Sequence, residues 1–180
     1  MDHINVELLE FLRSGRFGPI ALGMNRTQVE AALGKPQEWG GNWHDWSDEM
    51  KRRDRNRELS YTEYPIWVYD AMEFHFEGNQ QLWLIYCDHL DWLTDHGQLF
   101  NLNLWIFETS RKISREQFIQ ALTEEHLLYR EKSDQYVGTI ILPSGVEALY
   151  DLDSPDEIVT IKMSSLQHWD TEHLLDSVRG

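Results

Sequence analysis

The sequence between Ile20 and Pro36, which reads IALGMNRTQVEAALGKP, contains both the start and the stop signals of one helix. Asn25 can cap the helix N-terminus while Gln28 reaches back to it, the pattern of a capping box. Gly34 follows the last apolar residue, where many helices end in a left-handed turn, and Pro36 prevents continuation. The apolar residues between them lie at helical spacing: Val29, Ala32 and Leu33. The segment therefore predicts a short helix that starts after Asn25 and ends at Gly34.

The same order of elements recurs later in the chain. Ser114 and Gln117 form a second predicted capping box at an offset of 89 residues from the first. Three strand-like segments then match three earlier ones: Ile66–Tyr69 with Thr139–Leu142, Met72–Phe76 with Val146–Tyr150 at an offset of 74, and Trp83–Tyr86 with Ile158–Ile161 at an offset of 75. This repetition indicates an internal duplication. Chance matching of short amphipathic patterns is the alternative.

The repeat predicts an α+β fold of two tandem helix-plus-antiparallel-sheet units. The first unit covers residues 1–98, opens with a short helix at Asn5–Arg13, and carries an irregular insertion at 37–63. The second covers residues 99–180 and closes with an amphipathic helix, Leu166–Val178. The offset is 89 residues for the helices but 74 or 75 for the strands that follow, because only the first unit contains the insertion.

The segment from Ile20 to Pro36 resembles the opening motif of proteins with the BLIP-like/SmpA-OmlA fold, in which a hairpin-linked sheet follows the helices. That family includes a secreted β-lactamase inhibitor protein with two tandem units and small outer-membrane assembly lipoproteins with one. The resemblance implies a binding scaffold, with a sheet surface presented to a protein partner. This chain departs from the family in having no secretion signal, no lipobox cysteine and no cysteine pair. By analogy with acidic proteins of similar build, the resemblance implies an immunity protein that neutralises a toxin, although fold does not fix function.

Charge and composition restrict the partners. The chain has 180 residues, a net charge of -15 and a single cysteine, Cys87. An acidic field repels nucleic-acid phosphates and anionic lipids and attracts basic proteins, although it also serves solubility alone. One cysteine suits a reducing compartment, and no apolar run is long enough to span a bilayer. These features predict a cytoplasmic protein that binds neither nucleic acid nor membrane.

Two groups of side chains could carry chemistry. Cys87, His89 and His96, with nearby aspartates, include zinc-ligand types, but their spacing matches no paired metal site, and a strand end followed by a polar turn is the simpler explanation. Glu73, His75 and Glu77 alternate with buried residues on one strand, where carboxylates could tune a histidine for acid–base work. A solvated sheet face gives the same pattern. We therefore assign no catalytic residue, no metal and no cofactor from the sequence.

The sequence favours a non-catalytic protein-binding module, an immunity or inhibitor protein whose partner is a basic toxin or enzyme. Aromatic residues beside polar groups are common hot spots in protein interfaces, although tryptophans also roof a core under a long loop. The predicted contact residues are Trp39, Trp43, Trp46, Trp67, Glu73, His75 and Glu77. An enzyme that uses His75 or the Cys87/His89/His96 region and a self-associating structural protein are the alternatives. The sequence sets no oligomeric state.

Overall fold

A computed structural model of the chain describes residues 3–41, 46–78, 80–87, 97–108, 110, 112–153 and 157–164. These residues form an α+β fold, which confirms the predicted class. The helices are α1 (Leu8–Ser14), α2 (Arg26–Leu33), α3 (Asp48–Arg55) and α4 (Arg115–Glu124), with short 3-10 helices at Tyr61–Glu63 and Trp105–Glu108. The predicted C-terminal helix, Leu166–Val178, lies outside the described residues.

Within the described residues, ten strands build two sheets. They are β1 (Ile4–Glu7), β2 (Glu38–Gly40), β3 (Ile66–Tyr69), β4 (Met72–Phe76), β5 (Leu82–Cys87), β6 (Phe100–Asn103), β7 (Arg130–Ser133), β8 (Val137–Ile141), β9 (Val146–Asp151) and β10 (Ile158–Ser164). The large antiparallel sheet has the order β2-β3-β4-β5-β10-β9-β8-β7, and β1 pairs with β6 in a small parallel sheet. We call β2–β5 the first half of the large sheet and β7–β10 its second half. The halves meet where β5 pairs with β10.

Both predicted capping boxes are present. The Gln28 backbone N–H donates to Asn25 Oδ1 at 2.9 Å, and the Asn25 N–H donates to Gln28 Oε1 at 2.9 Å. Ser114 and Gln117 make the same reciprocal pair at 3.2 and 2.9 Å. Each box satisfies two backbone N–H groups that a helix start otherwise leaves without partners. The local sequence therefore fixes where α2 and α4 begin.

The strand registers place one bulge at matching points of the two halves. Opposite β4, Trp83 is the extra residue in β5, because His75 faces Leu84 while Phe76 faces Leu82. Opposite β9, Val159 is the extra residue in β10. These registers match β5 to β10 at a spacing of 76 residues, so the predicted offset of 75 is wrong by one. A bulge inserts a residue without changing the face of its neighbours, which a pattern of apolar residues does not reveal.

The core lies on the inner face of the large sheet. The apolar sides of α1, α2 and α4 join the same buried cluster as the inward side chains of β3–β5 and β8–β10. Phe17 lies at the centre of this cluster, with ring centroids 5.5 Å from Phe11, 6.1 Å from Phe74 and 5.1 Å from Phe100. Edge-to-face packing of this kind adds to the stabilisation that burial supplies. One apolar core therefore joins the helices to both sheets.

Two predicted segments differ from the structure. The helix predicted at Asn5–Arg13 starts only at Leu8, because the preceding residues form β1 against β6. The insertion at 37–63 is not irregular: it contains β2, α3 and the 3-10 helix Tyr61–Glu63. Ser47 caps α3, and β2 pairs with β3. In both cases, pairing with a strand distant in the sequence decides the local structure.

A half-buried carboxylate, that of Asp70, connects the β3–β4 turn to the start of β6. Asp70 has a positive φ of 51°. Its carboxylate accepts hydrogen bonds from Gln37 Nε2 at 3.0 Å and from the backbone N–H groups of residues 98, 99 and 100 at 2.9–3.1 Å. Burial raises the pKa of Asp70, but these hydrogen bonds outweigh burial and hold the pKa below its usual value. A Cβ at Gly97 would lie 2.2 Å from Asp70 Oδ2, so this close approach requires glycine.

Candidate functional site

The outer face of the first half carries a contiguous set of half-exposed side chains, which we call the first-half face. Its members point away from the core on β3, β4 and β5: Ile66, Val68, Glu73, His75, Trp83, Leu84 and Tyr86. The predicted alternation on β4 is confirmed, since Met72, Phe74 and Phe76 are buried while the residues between them are half-exposed. A rigid antiparallel sheet thus presents both aromatic and acidic groups to its surroundings.

His75 lies at the centre of this face. Its Nε2 atom is 2.7 Å from Glu73 Oε2, and its ring meets those of Trp83 and Tyr86 edge-on at centroid distances of 6.2 Å. Glu77 lies beyond the end of β4, where its backbone N–H donates to the Gln81 carbonyl at 2.9 Å. Of the three predicted polar residues, the structure therefore brings Glu73 and His75 into contact. Sequence reasoning missed Trp83 and Tyr86 because their strand reads as a continuous apolar run.

Of the four tryptophans predicted as contact residues, the structure buries two, Trp67 and Trp46. Trp67 is fully buried in the core, and its Nε1 donates to the Tyr61 carbonyl at 3.1 Å. Trp46 is also buried, with its ring 5.6 Å from that of Tyr64. Both side chains are therefore covered by other residues and present almost no surface to a partner. Trp39, which is 39% exposed, keeps a contact surface, and Trp43 lies outside the described residues.

Beneath this aromatic cluster lies a cation that the sequence did not suggest. The Arg26 guanidinium is buried, 4.3 Å from the centroid of Phe76 and 5.3 Å from that of Trp67. Burial lowers its pKa to about 10. Its Nε and Nη1 atoms have no hydrogen-bond partner within the described part of the chain. Ring contacts offset part of the cost of removing the charge from water.

The second half carries a matching set of outward residues, which we call the second-half face: Thr139, Ile141, Glu147, Leu149, Val159, Thr160 and Lys162. The second-half face differs from the first-half face in how much of it is buried. Thr139, Ile141, Glu147 and Thr160 are all buried. Glu147 pairs with Lys162 at 3.0 Å and with Lys132 at 3.8 Å. Only the first half therefore presents these positions as a half-exposed surface.

Two concave regions offer little to a reaction. A cavity of about 20 Å³, room for roughly one water molecule, lies in the core against apolar side chains that include Phe11, Phe17 and Met72. Cys87 lines this cavity and is buried, while His89 and His96 lie outside the described residues. An open depression of about 280 Å³ is lined by Asn5, Glu7, Glu10, Arg16 and Gly18. Across the described ranges, no three histidine, cysteine or carboxylate side chains group as metal ligands do.

Comparison with family models, curated proteins and solved structures gives no match. The resemblance to the BLIP-like/SmpA-OmlA fold therefore stays a prediction. Within the described ranges, every helix is too short or too polar to cross a bilayer.

Proposed function

We propose that this protein is a non-catalytic binding module that presents the first-half face to a basic protein partner. The observation that carries the proposal is the cluster of Glu73, His75, Trp83 and Tyr86, half-exposed on a rigid sheet. Aromatic side chains lose little conformational entropy on binding and bury large areas, so they often anchor interfaces. The carboxylates on and beside this face suit lysine or arginine from the partner.

Electrostatics supports a basic partner. The side chain of Glu73 is 35% exposed, and its neighbour Glu77 is half-exposed at the strand end. With a net charge of -15, the protein attracts cations over a distance and repels phosphate polymers. Such complementarity raises association rates and selects against acidic partners. We propose a cytoplasmic location because the one cysteine is buried as a thiol and fits a reducing compartment.

We further propose that the two halves are diverged copies of one unit, as in the BLIP-like fold. The matching bulges at Trp83 and Val159 support this. So does the central ladder, which pairs Tyr86 with Lys162, Cys87 with Ile161 and Ile85 with Met163. This ladder is symmetric. When each β5 residue is replaced by the β10 residue 76 positions later, and each β10 residue by the β5 residue 76 positions earlier, the same pairs result. Such symmetry is expected where two equivalent strands meet about a two-fold axis.

A pair of arginines gives independent support for duplication. Arg26 and Arg115 both occupy the first helical position after a capping box, 89 residues apart. Arg26 lies against the ring of Phe76, and Arg115 lies 5.8 Å from the ring of the matching Tyr150. Arg115 has a two-pronged contact with Glu131, at 2.8 and 2.6 Å. By strand register Glu131 matches Trp39, so the first copy has lost the carboxylate partner of its arginine.

Together these features favour the immunity or inhibitor class that the resemblance implies. The two halves form one eight-stranded sheet, and the insertion adds the exposed ring of Trp39 on the edge strand of its first half. A target that is a basic toxin or enzyme fits the charge. The activity of that target, with and without this protein, is the decisive readout once the target is identified.

The first test uses capture with matched charge variants of the full chain. Wild type, Glu73→Lys and Glu108→Lys serve as baits in a lysate of the source organism, with quantitative mass spectrometry as the readout. Glu108 is exposed on a 3-10 helix away from the face, so its reversal changes net charge equally. We expect a basic protein to be retained by wild type and Glu108→Lys and reduced at least about tenfold with Glu73→Lys. Equal capture by all three baits contradicts the proposal.

The contact between Glu73 and His75 favours one second candidate, an enzyme. A carboxylate that orients a histidine is a common part of acid–base and nucleophilic sites. A hydrolase screen with wild type and His75→Ala distinguishes the candidates. An activity that the wild type shows and the variant lacks would favour catalysis over binding.

A further inference from the structure

The edge of the large sheet at β2 holds a lysine ammonium against aromatic rings. Lys35 Nζ lies 5.1 Å from the ring centroid of Trp39 and 4.9 Å from that of Tyr61. These two rings are tilted by 48° at a centroid distance of 5.7 Å, and the ring of Tyr64 lies 6.5 Å from that of Trp39. We call Trp39, Tyr61 and Tyr64 the edge rings. Their arrangement lets one cation lie over two rings at once.

Two carboxylates make the edge rings better partners for a cation. The Tyr61 hydroxyl donates a 2.5 Å hydrogen bond to Glu30 Oε1, and the Tyr64 hydroxyl donates to Asp54 Oδ1. These hydrogen bonds raise the pKa of both phenols, that of Tyr64 to about 12, so both hydroxyls stay protonated. A phenol that donates to an anion is polarised, which increases the negative charge on the face of its ring.

The contacts that hold Lys35 at the edge rings are weak ones. The lysine is exposed, and its ammonium has no carboxylate partner among the described residues. Cation–π contacts at exposed sites contribute little free energy, so an external cation can compete with Lys35 for the rings. Trp39 is 39% exposed and offers its surface to such a cation.

We propose that the edge rings bind an ammonium or guanidinium group from outside the chain, and that Lys35 occupies this site in its absence. The ligand is an organic cation, either a lysine or arginine side chain of a protein or a free small molecule. The net charge of -15 raises the concentration of cations around the protein. Lys35 is an internal competitor, which makes the apparent affinity lower than that of the unoccupied rings.

This site is separate from the first-half face. Trp39 is paired directly with Trp67 across β2 and β3, and directly paired residues point to the same side of a sheet. Since Trp67 points into the core, Trp39 lies on the core side of the sheet. Ile66 and Val68 alternate with Trp67 on β3 and point the opposite way. The edge rings therefore bind a cation whether or not a partner contacts the first-half face.

A titration of the full chain with choline tests the site. The backbone N–H signals of residues 60–64 in NMR spectra are the readout, because every variant below retains them. We expect these signals to shift saturably with choline. The neutral isostere of choline, in which carbon replaces the quaternary nitrogen, should leave them unshifted, because it lacks the charge that the rings attract. Trp39→Ala should weaken choline binding at least about tenfold.

Lys35→Ala gives the sharper prediction, because its effect has the opposite sign. Removing the internal cation frees the edge rings, so choline should bind about three- to sixfold more tightly. Lys112→Ala is the matched control, since it removes the same charge from a lysine that is 77% exposed and pairs with Glu157. It should change the dissociation constant less than about twofold. Trp83→Ala, on the first-half face, should leave choline binding unchanged.

Three results would overturn the proposal: no saturable shift with choline, an equal response to the neutral isostere, or weaker choline binding by Lys35→Ala. If Trp39→Ala unfolds, its NMR signals lose their dispersion. Trp39→Leu then replaces it, because leucine keeps an apolar side chain on β2 without an aromatic ring.

A final arm separates the two sources of the cation. Trp39→Ala and wild type serve as baits in a lysate of the source organism. Loss of a protein that the wild type retains identifies the cation as a side chain of that protein. Unchanged capture, together with choline binding by the wild type, identifies a free small cation.

Discussion

Glu73 and Glu147 occupy matching positions on the outer face of the sheet, but their surroundings differ. Glu73 is half-exposed beside His75, whereas Glu147 is buried between Lys162 and Lys132. The strands around them share the same register and the same bulge. Backbone pairing is therefore the same in the two halves, while burial of the outer face differs. The comparison teaches that strand pairing alone does not set how exposed the outer face of a sheet is.

The inner faces of the two halves carry side chains of different volume at matching positions. This difference gives the largest expected effect on the free energy of unfolding. Phe74 in the first half matches Ala148 in the second, and both are fully buried. Phe74→Ala installs the second-half residue, and we expect it to lower the free energy of unfolding by about 3–5 kcal/mol because it leaves a cavity. Urea unfolding followed by circular dichroism measures this. Val68→Ala on the half-exposed outer face is the control, and an equal loss in both would contradict the assignment of faces.

The two hairpin turns of the halves are anchored differently, which predicts the next largest effect. Asp70 binds three backbone N–H groups ahead of β6, while Ser144 Oγ donates one hydrogen bond, of 2.6 Å, to the Leu12 carbonyl. We expect Asp70→Ala to cost about 3 kcal/mol and Ser144→Ala about 1 kcal/mol, because hydrogen bonds to a charged group are stronger and three donors lose their acceptor. Similar losses in the two variants would mean that the carboxylate has no special role.

The Asp70 anchor also predicts a dependence on pH. Its folded-state pKa is lower than the unfolded one. Its contribution to stability is therefore complete above the unfolded pKa and is lost as pH falls through the folded pKa. The free energy of unfolding of wild type should fall more steeply in acid than that of Asp70→Ala. Parallel profiles for the two proteins would show that Asp70 titrates normally.

The matching glutamates provide the direct test of outer-face burial. Glu147→Gln neutralises a buried carboxylate and leaves the half-exposed Lys162 without its charged partner, and we expect a loss of about 2 kcal/mol. Glu73→Gln changes a half-exposed group and should alter stability by less than about 0.5 kcal/mol. Thermal unfolding of both variants measures the difference. The comparison of the halves fails if Glu73→Gln costs as much as Glu147→Gln.

The matching arginines give the smallest expected effect, with opposite signs. Arg115→Met removes the partner of Glu131 and should destabilise the protein by about 1 kcal/mol. Arg26→Met keeps the ring contacts and removes a buried charge whose Nε and Nη1 atoms have no partner among the described residues. We expect a gain of up to about 1 kcal/mol. A loss on Arg26→Met would mean that the cation itself stabilises the aromatic cluster.

Local signals accounted for much of the fold. Asn25 with Gln28 and Ser114 with Gln117 marked two helix starts, because a capping box involves only groups within one helical turn. Alternation marked the buried and outer sides of β4, because side chains of a strand point to opposite faces. These features follow from the backbone and near neighbours, so the sequence was sufficient to predict them.

The tertiary structure decided what those signals leave open. Trp46, in the long insertion, and Trp67, in the strand that follows it, were predicted as surface residues, yet packing against other segments buries both. Trp83 lies at a bulge of β5 with its ring against His75, a contact that the apolar run does not reveal. Burial depends on which distant segments meet, and a one-residue bulge leaves no mark in an apolar run. The sequence by itself thus determined the helix starts, the strand faces and the acidic charge, while folding decided which faces are covered and which side chains a partner can reach.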